Sequence, residues 1–174
     1  STGYRGSWGR HKPTNELYYS YIDADIRRDH NITGRLNQNV TETIEGVKYY
    51  VPLVSKPDVS RLEWCTGKFR LTIPGVNPSF TTDDNSLNYP LMRLADVILQ
   101  YSEALYFMGD EPNARKLFEQ IRGRVAADGY SLDDLNMAYT KSDFVEELLD
   151  ERKRELCFES KRRIDLIRFD KTTE

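Results

Sequence analysis

The sequence YPLMRLADVILQYSEALYFM at residues 89–108, followed by GDEPNARKLFEQIRGRV at residues 109–125, decides the fold of this chain. Apolar side chains recur in the first part at the three- and four-residue spacing of one helix face. They are Leu91, Leu94, Ile98, Tyr101, Leu105 and Met108. Gly109 and Pro112 predict a helix end and a new helix start, because glycine tolerates the left-handed conformation after a helix and proline suits the first turn of the next one.

The second part predicts another helix, which ends near Gly129 and carries its apolar residues on one side. Two amphipathic helices joined by a short turn predict an antiparallel helical hairpin. Its pattern also fits a tetratricopeptide-type repeat, with an ordinary helical hairpin as the alternative. The residues at the key positions of such a repeat are Ile98, Tyr101, Ser102, Leu105, Gly109, Ala114, Phe118 and Ile121. A lone repeat cannot bury its own faces, so we expect further protein upstream, or a partner, to cover it.

A third helix is predicted from Ser142 to Glu159, with a short amphipathic turn from Ile164 to Phe169 after it. Thr140 and Asp143 have the spacing of a capping box at its start. The fold class is therefore mainly α, a helical hairpin plus a C-terminal helix, with long irregular loops and a few short strands.

Residues 1–88 differ from residues 89–174 in composition. The first segment is rich in Gly, Asn, Thr, Asp, Pro and Tyr and shows no sustained helical period. Short strands are predicted at Lys48–Val54 and at Phe69–Ile73, the second of which alternates apolar and polar residues. We interpret residues 1–88 as a loop-rich segment that carries the candidate ligand-binding surface, and 89–174 as a helical segment. Because the chain opens on Ser1, we expect both to form part of one domain of a longer protein.

Charge and composition exclude several classes of protein. The chain has 25 basic and 28 acidic residues, a net charge of −3, which argues against nucleic-acid binding. No window approaches the roughly 18 apolar residues of a membrane span. The two cysteines, Cys65 and Cys157, make no disulfide framework, and whether they pair is open. His11 and His30 are too isolated for a metal site, so we expect no metal and no cofactor.

Catalytic motifs are not found in the sequence. Gly3 to Gly9 has glycines but lacks the strand–turn–helix context and the Lys-Ser/Thr ending of a phosphate-binding loop. Neither a Gly-x-Ser-x-Gly elbow nor an HExxH pair occurs. We therefore predict that the protein is not an enzyme. A glycosidase, which needs two carboxyl groups facing one cleft, is an alternative without a supporting motif.

The densest cluster of charges lies at residues 150–169. Arg152 falls on an apolar helix stripe with Leu149 and Leu156, so we expect its guanidinium to reach a buried carboxylate. The interleaved acids cancel the field that a nucleic-acid or membrane surface would need. We predict a structural ion-pair network made of Glu151, Arg152, Glu155, Glu159, Arg163 and Asp165.

The aromatic residues of the first segment are the best candidates for a binding site. Flat rings next to amide and carboxylate side chains suit a sugar, whose apolar face stacks on a ring while its hydroxyl groups need donors and acceptors. The predicted ligand-binding residues are Trp8, Tyr4, His11, Tyr19 and Trp64. Trp8 lies between glycines in a polar loop and is the strongest of them. For each tyrosine, buried packing is the alternative.

Several segments resemble the SusD/RagB family. Residues 89–105 are similar to a helix that reads roughly "iRLAEvyLlyAEAl" in that family, and residues 150–169 to its closing signature "ERrrELaFEGhRwfDLiRw". Residues 121–125, 21–27 and 67–70 are similar to three shorter family segments, in the same order. The chain departs from the pattern at Ser160, where the family usually has glycine, and at Ile164, where an aromatic residue is common.

The resemblance implies a lipoprotein on the outer face of a bacterial outer membrane. Such proteins bind glycans or other nutrients without catalysis and cap a SusC-like TonB-dependent transporter. They reach the membrane through an N-terminal lipid anchor, which we expect to lie outside this chain. Their ligands are held in variable loops without a shared motif, so no binding residue carries over. A tetratricopeptide-like adaptor that binds a peptide is the alternative function.

Overall fold

A computed structural model of the chain describes residues 12–33, 41–44, 47–50, 64–68 and 88–171. The chain divides into two compact units, one of residues 1–18 and 29–89 and the other of residues 19–28 and 90–174. Each unit is described by itself.

Helices dominate the described residues, which confirms the prediction of a mainly helical fold with a few short strands. The helices are α1 (Asn15–Tyr19), α2 (Arg27–Asn31), α3 (Leu94–Phe107), α4 (Glu111–Arg122), α5 (Leu132–Tyr139), α6 (Phe144–Glu155) and α7 (Arg162–Arg168), with a 3₁₀ turn at Gly123–Val125.

The predicted helical hairpin is formed by α3 and α4. Gly109 adopts a φ of +85° between them, which a residue without Cβ reaches at little cost. Asp110 then caps α4 by accepting a hydrogen bond from the backbone N–H of Asn113 at 3.3 Å. The Ser102 hydroxyl donates to the Ala114 carbonyl at 2.7 Å, so the two helices approach closely where both residues are small.

The hydrophobic core of the helical unit lies between α3, α4 and α6. Eight buried residues form it: Ala95, Leu99, Ala114, Phe118, Ile121, Phe144, Leu148 and Leu156. The rings of Phe118 and Phe144 meet edge to face with centroids 5.5 Å apart. Burial of this shared apolar surface fixes the third helix against the hairpin.

The sequence analysis predicts no helix between the hairpin and α6, but the structure has α5 there. Its capping box joins Ser131 and Asp134, whereas the box predicted at Thr140 and Asp143 does not form. Thr140 instead ends α5, and Asp143 caps α6 by accepting from the backbone N–H of Val145 at 2.9 Å.

Helix α6 is shorter than the predicted helix, ending at Glu155 rather than Glu159. Phe158 and Ser160 have φ angles of 64° and 58°, in the left-handed region, so the chain cannot continue as a right-handed helix. The turn brings α7 back against α6. The first helix of the hairpin also begins later than its apolar pattern, since Leu91 precedes α3.

Among the described residues of the other unit there are two small antiparallel sheets. Strand β1 (Ile32–Thr33) pairs with β4 (Cys65–Thr66), and β2 (Thr41–Ile44) pairs with β3 (Val47–Tyr50). Strand β3 overlaps the strand predicted at residues 48–54, while residues 51–54 and the strand predicted at residues 69–73 lie outside the described residues. Cys65 and Cys157 are not joined in a disulfide bond. Within the described residues, no helix is long and apolar enough to cross a membrane.

Candidate functional site

The charged residues of the helical unit form a buried network around α6. Its side chains come from α6, from residues 25–27, from Arg93 at the start of α3, and from α4. Each buried carboxylate is stabilised by a guanidinium group, because burying an unpaired charge costs several kcal/mol of folding free energy.

Arg27 stands at the centre of the network. Its guanidinium lies 2.7 Å from Asp25, 2.5 Å from Glu151 and 3.1 Å from Glu155. The side chain of Arg27 is 6% exposed and that of Glu151 is fully buried. Arg27 therefore joins the segment before α2 to two successive turns of α6.

Arg93 holds the beginning of α3 against the end of α6. It lies 2.7 Å from both Glu155 and Glu159, and it donates to the Glu155 carbonyl at 2.6 Å. Arg124 also pairs with Glu155. Glu159 therefore binds Arg93 from a position after the end of α6, whereas the sequence pattern predicts Glu159 on that helix.

Arg122 and Arg154 complete the network. Arg122 lies 2.9 Å from Glu147 and stacks over the Phe118 ring at 4.4 Å. Arg154 lies 3.1 Å from Glu151 and 3.8 Å from the centre of the Tyr139 ring. Both arginines are thereby stabilised by a carboxylate and an aromatic face.

A second cluster joins α6 to α3 and α7. Arg152 donates to Asp165 at 2.9 Å and lies 3.0 Å from Asp96, so its guanidinium reaches buried carboxylates. Lys161 lies 3.0 Å from the same Asp96. Three helices are tied together by this cluster.

Arg163 does not take part in the ion-pair network in which it was predicted to lie. Its side chain is exposed, and in the described part of the chain no ion pair of Arg163 is found. The reason lies in the geometry of α7, which turns Asp165 inward to Arg152 and places Arg163 and Ile164 on the exposed side.

The electrostatics of the network keep its acids ionised. Burial alone would raise the pKa of Glu151, but Arg27, Arg154 and Arg122 lower it to about 2. Burial likewise opposes ionisation of Glu155, while Arg27, Arg124 and Arg93 lower its pKa. Burial and the nearby Asp25 carboxylate raise the pKa of Tyr139, whose hydroxyl donates to Asp25 at 3.2 Å.

Carboxylates with lowered pKa values are unsuited to act as general acids near neutral pH. Glu151 and Glu155 are also fully engaged by arginines, so they have a structural role. Among the described residues, no group of three His, Cys, Asp or Glu side chains could hold a metal ion.

A polar cleft of about 120 Å³ lies beside α6 and α7. Its cations are already engaged, since Lys141 lies 2.6 Å from Asp150 and Lys171 lies 3.5 Å from Glu146. Among the residues that the structure describes, no aromatic ring lines this cleft. The cleft therefore lacks the stacking surface that a sugar needs.

The predicted ligand-binding residues have different environments. Tyr4, Trp8 and His11 lie outside the described residues. Tyr19 is 65% exposed, as an accessible ring requires, whereas Trp64 is 2% exposed. The Trp64 ring stacks on Tyr18 with centroids 4.2 Å apart, so its aromatic faces are used in packing.

Sequence reasoning did not assign a role to Asp25, Arg27, Arg93, Asp96 or Arg122. Asp25 and Arg27 lie in a D-x-R pattern, and this was the signal available for them. The sequence around Asp25 and Arg27 does not indicate that Arg27 pairs with carboxylates more than a hundred residues later in the chain.

The helical hairpin of α3 and α4 packs against α6 and is joined to it by buried ion pairs, so the three helices form one helical scaffold. The SusD family model matches residues 1–174, and the chain therefore belongs to the SusD family. No curated protein matches the chain in sequence.

The solved structure of NanU from B. fragilis is similar to this chain. The TM-score is 0.55 at 25% sequence identity, and the match covers 90% of this chain. It covers 31% of the NanU chain, so the present chain spans about a third of that protein.

Proposed function

We propose that the full-length protein binds a glycan or another nutrient at the bacterial cell surface and delivers it to a SusC-like TonB-dependent transporter. The observation that carries this proposal is the SusD family match over residues 1–174. In this proposal the protein is an outer-membrane lipoprotein, anchored by a lipid on a segment outside residues 1–174, and it binds its ligand without catalysis.

We assign separate roles to residues 1–88 and 89–174, on the basis of their aromatic and charged side chains. Glu151 and Glu155 are neutralised by buried arginines, which supports a structural role for the helical segment of residues 89–174. Recognition is then left to residues 1–88, with Trp8, Tyr4, His11 and Tyr19 as proposed contacts. Trp64 drops out of this set, because its ring is buried against Tyr18.

Alanine variants of the full-length protein test the proposed contacts. Stacking on an aromatic ring contributes about 1 kcal/mol or more, so Trp8→Ala and Tyr19→Ala should each weaken glycan affinity at least fivefold. Isothermal titration calorimetry against a glycan panel gives the affinities. Tyr130→Ala is the matched control, because Tyr130 is 51% exposed and lies in the helical segment.

The outcomes separate the ligand from the site. Unchanged affinity in Trp8→Ala and Tyr19→Ala would contradict these contacts while leaving glycan binding in place. A comparable loss in Tyr130→Ala would move the binding surface to the helical segment. Co-purification of the tagged full-length protein with a TonB-dependent transporter from membranes tests delivery, and its failure under conditions that preserve such complexes would contradict that part.

A further inference from the structure

The polar cleft beside α6 and α7 is lined by an arginine that no carboxylate of the described residues neutralises. Arg162, the first residue of α7, is partly buried at this cleft. Its Nη1 donates to the Leu149 carbonyl at 3.1 Å, and this oxygen is its only hydrogen-bond partner in the part of the chain that the structure describes. A guanidinium group has several further N–H donors, which Arg162 can therefore offer to a ligand.

Arg162 differs in this respect from the other arginines of the helical unit. Apart from the exposed Arg163, every other described arginine of this unit pairs with at least one carboxylate. The bond to the Leu149 carbonyl fixes the orientation of the Arg162 guanidinium but supplies no negative charge. A partly buried guanidinium without a counter-charge favours the binding of an anion.

The other charged residues of the cleft balance one another. Lys141 lies 2.6 Å from Asp150, and Lys171 lies 3.5 Å from Glu146. Burial would raise the pKa of Asp150, but Lys141 and a second lysine lower it, so this carboxylate stays ionised. The two acids thus offset the two lysines that line the cleft, and the positive charge of Arg162 is left in excess.

A single excess charge favours a carboxylate as the anion. The two oxygens of a carboxylate match the planar fork of an arginine, and the Nε and Nη2 side of Arg162 is open for this contact. A phosphate group carries about 1.5 to 2 negative charges at neutral pH, so Glu146 and Asp150 would repel it more strongly.

The size and the apolar lining of the cleft restrict the rest of the ligand. A cavity of roughly 150 Å³ holds a molecule as large as benzene, so a volume of about 120 Å³ suits a slightly smaller one. Leu149 and Leu166 line the cleft next to Arg162. We propose that the cleft binds a small aliphatic organic acid, whose carboxylate pairs with Arg162 and whose carbon chain packs against these two leucines.

This inference goes beyond the proposed function and is independent of it, because the cleft lies in the helical segment and lacks the ring surface that a glycan needs. Ligand-observed NMR of the full-length protein tests it, with propionate as the probe. We expect saturable binding of propionate and an affinity about tenfold or more lower for propionamide, which has the same shape without the charge.

Substitution of Arg162 tests the proposed contact. Arg162→Met should weaken propionate binding about tenfold or more, because the charge and the fork are both removed. Arg163→Met removes the same charge from the exposed neighbouring residue and is the matched control, which should change the affinity by less than about twofold. Arg162→Lys keeps the charge without the fork and should weaken binding about threefold or more, which separates loss of the contact from loss of folding.

The results that would overturn the proposal differ from those that bear on the glycan. Equal affinities for propionate and propionamide would contradict recognition of a carboxylate, and tighter binding of inorganic phosphate would contradict the choice of anion. Full affinity in Arg162→Met or Arg162→Lys would place the ligand elsewhere. Glycan affinity should be the same in Arg162→Met and the unmodified protein, so failure of one proposal leaves the other testable.

Discussion

At the scale of single residues, the helical unit contains a network of buried ion pairs. Arg27, with 6% of its side chain exposed, contacts three carboxylates from two segments. Such pairs depend on their partners, because removing one charge leaves the others buried and uncompensated. The charged closing segment of the sequence thus has an architectural role in the helical unit.

Replacement of Arg27 by methionine should therefore destabilise the protein strongly. Arg27→Met leaves Asp25 and Glu151 without their shared cation, and we expect a loss of about 3–5 kcal/mol in the free energy of unfolding. Urea denaturation measures this loss. Arg163→Met is the control, because the Arg163 side chain is exposed, and it should change stability by less than about 0.5 kcal/mol. Similar effects of the two substitutions would contradict the buried network.

The lowered pKa of Glu151 also predicts how stability depends on pH. Its pKa falls from 4.5 to about 2 on folding, so between these values the unfolded state binds more protons. The contribution, on the order of 3 kcal/mol, is complete above pH 4.5 and is lost as pH falls toward 2. Denaturation series from pH 2 to 7 measure the slope, and Glu151→Gln should reduce it. A slope unaffected by Glu151→Gln would contradict the assignment.

At the scale of elements, the helices that could be predicted are those whose own residues show a clear periodicity or a characteristic turn. The α3–α4 hairpin follows from helical periodicity and from Gly109, which has a φ of +85°. Helix α5 spans eight residues and buries two, so periodicity had too few turns to reveal it. Its local signal was Ser131 with Asp134 three residues later. The end of α6 was missed because the charge pattern of residues 151–159 continues past the last helical turn.

The turn after α6 supplies a prediction about Ser160. Its φ of 58° strains any side chain, and glycine relieves that strain. We expect Ser160→Gly to be more stable than Ser160→Ala by about 1 kcal/mol, as measured by urea denaturation. The alanine variant controls for loss of the hydroxyl, because it keeps Cβ. Equal stability of the two variants would contradict a left-handed conformation at this position.

At the scale of the whole molecule, ion pairs between residues far apart in the chain could not be predicted from the sequence. Arg152 was predictable from its place on an apolar stripe, but one partner of Glu151, Arg27, is 124 residues away. No spacing rule connects residues that far apart. The ligand-binding residues were chosen by side-chain chemistry alone, and that reasoning does not distinguish the buried Trp64 from the exposed Tyr19.

The central claim is that the full-length protein binds a nutrient without altering it. Titration calorimetry of the full-length protein against a glycan panel, with mass spectrometry of the recovered glycan, tests this claim directly. We predict saturable binding of at least one glycan and recovery of that glycan with its mass unchanged. Cleavage of the bound glycan would contradict the absence of catalysis, and failure of every glycan and other nutrient tested to bind would contradict the claim itself.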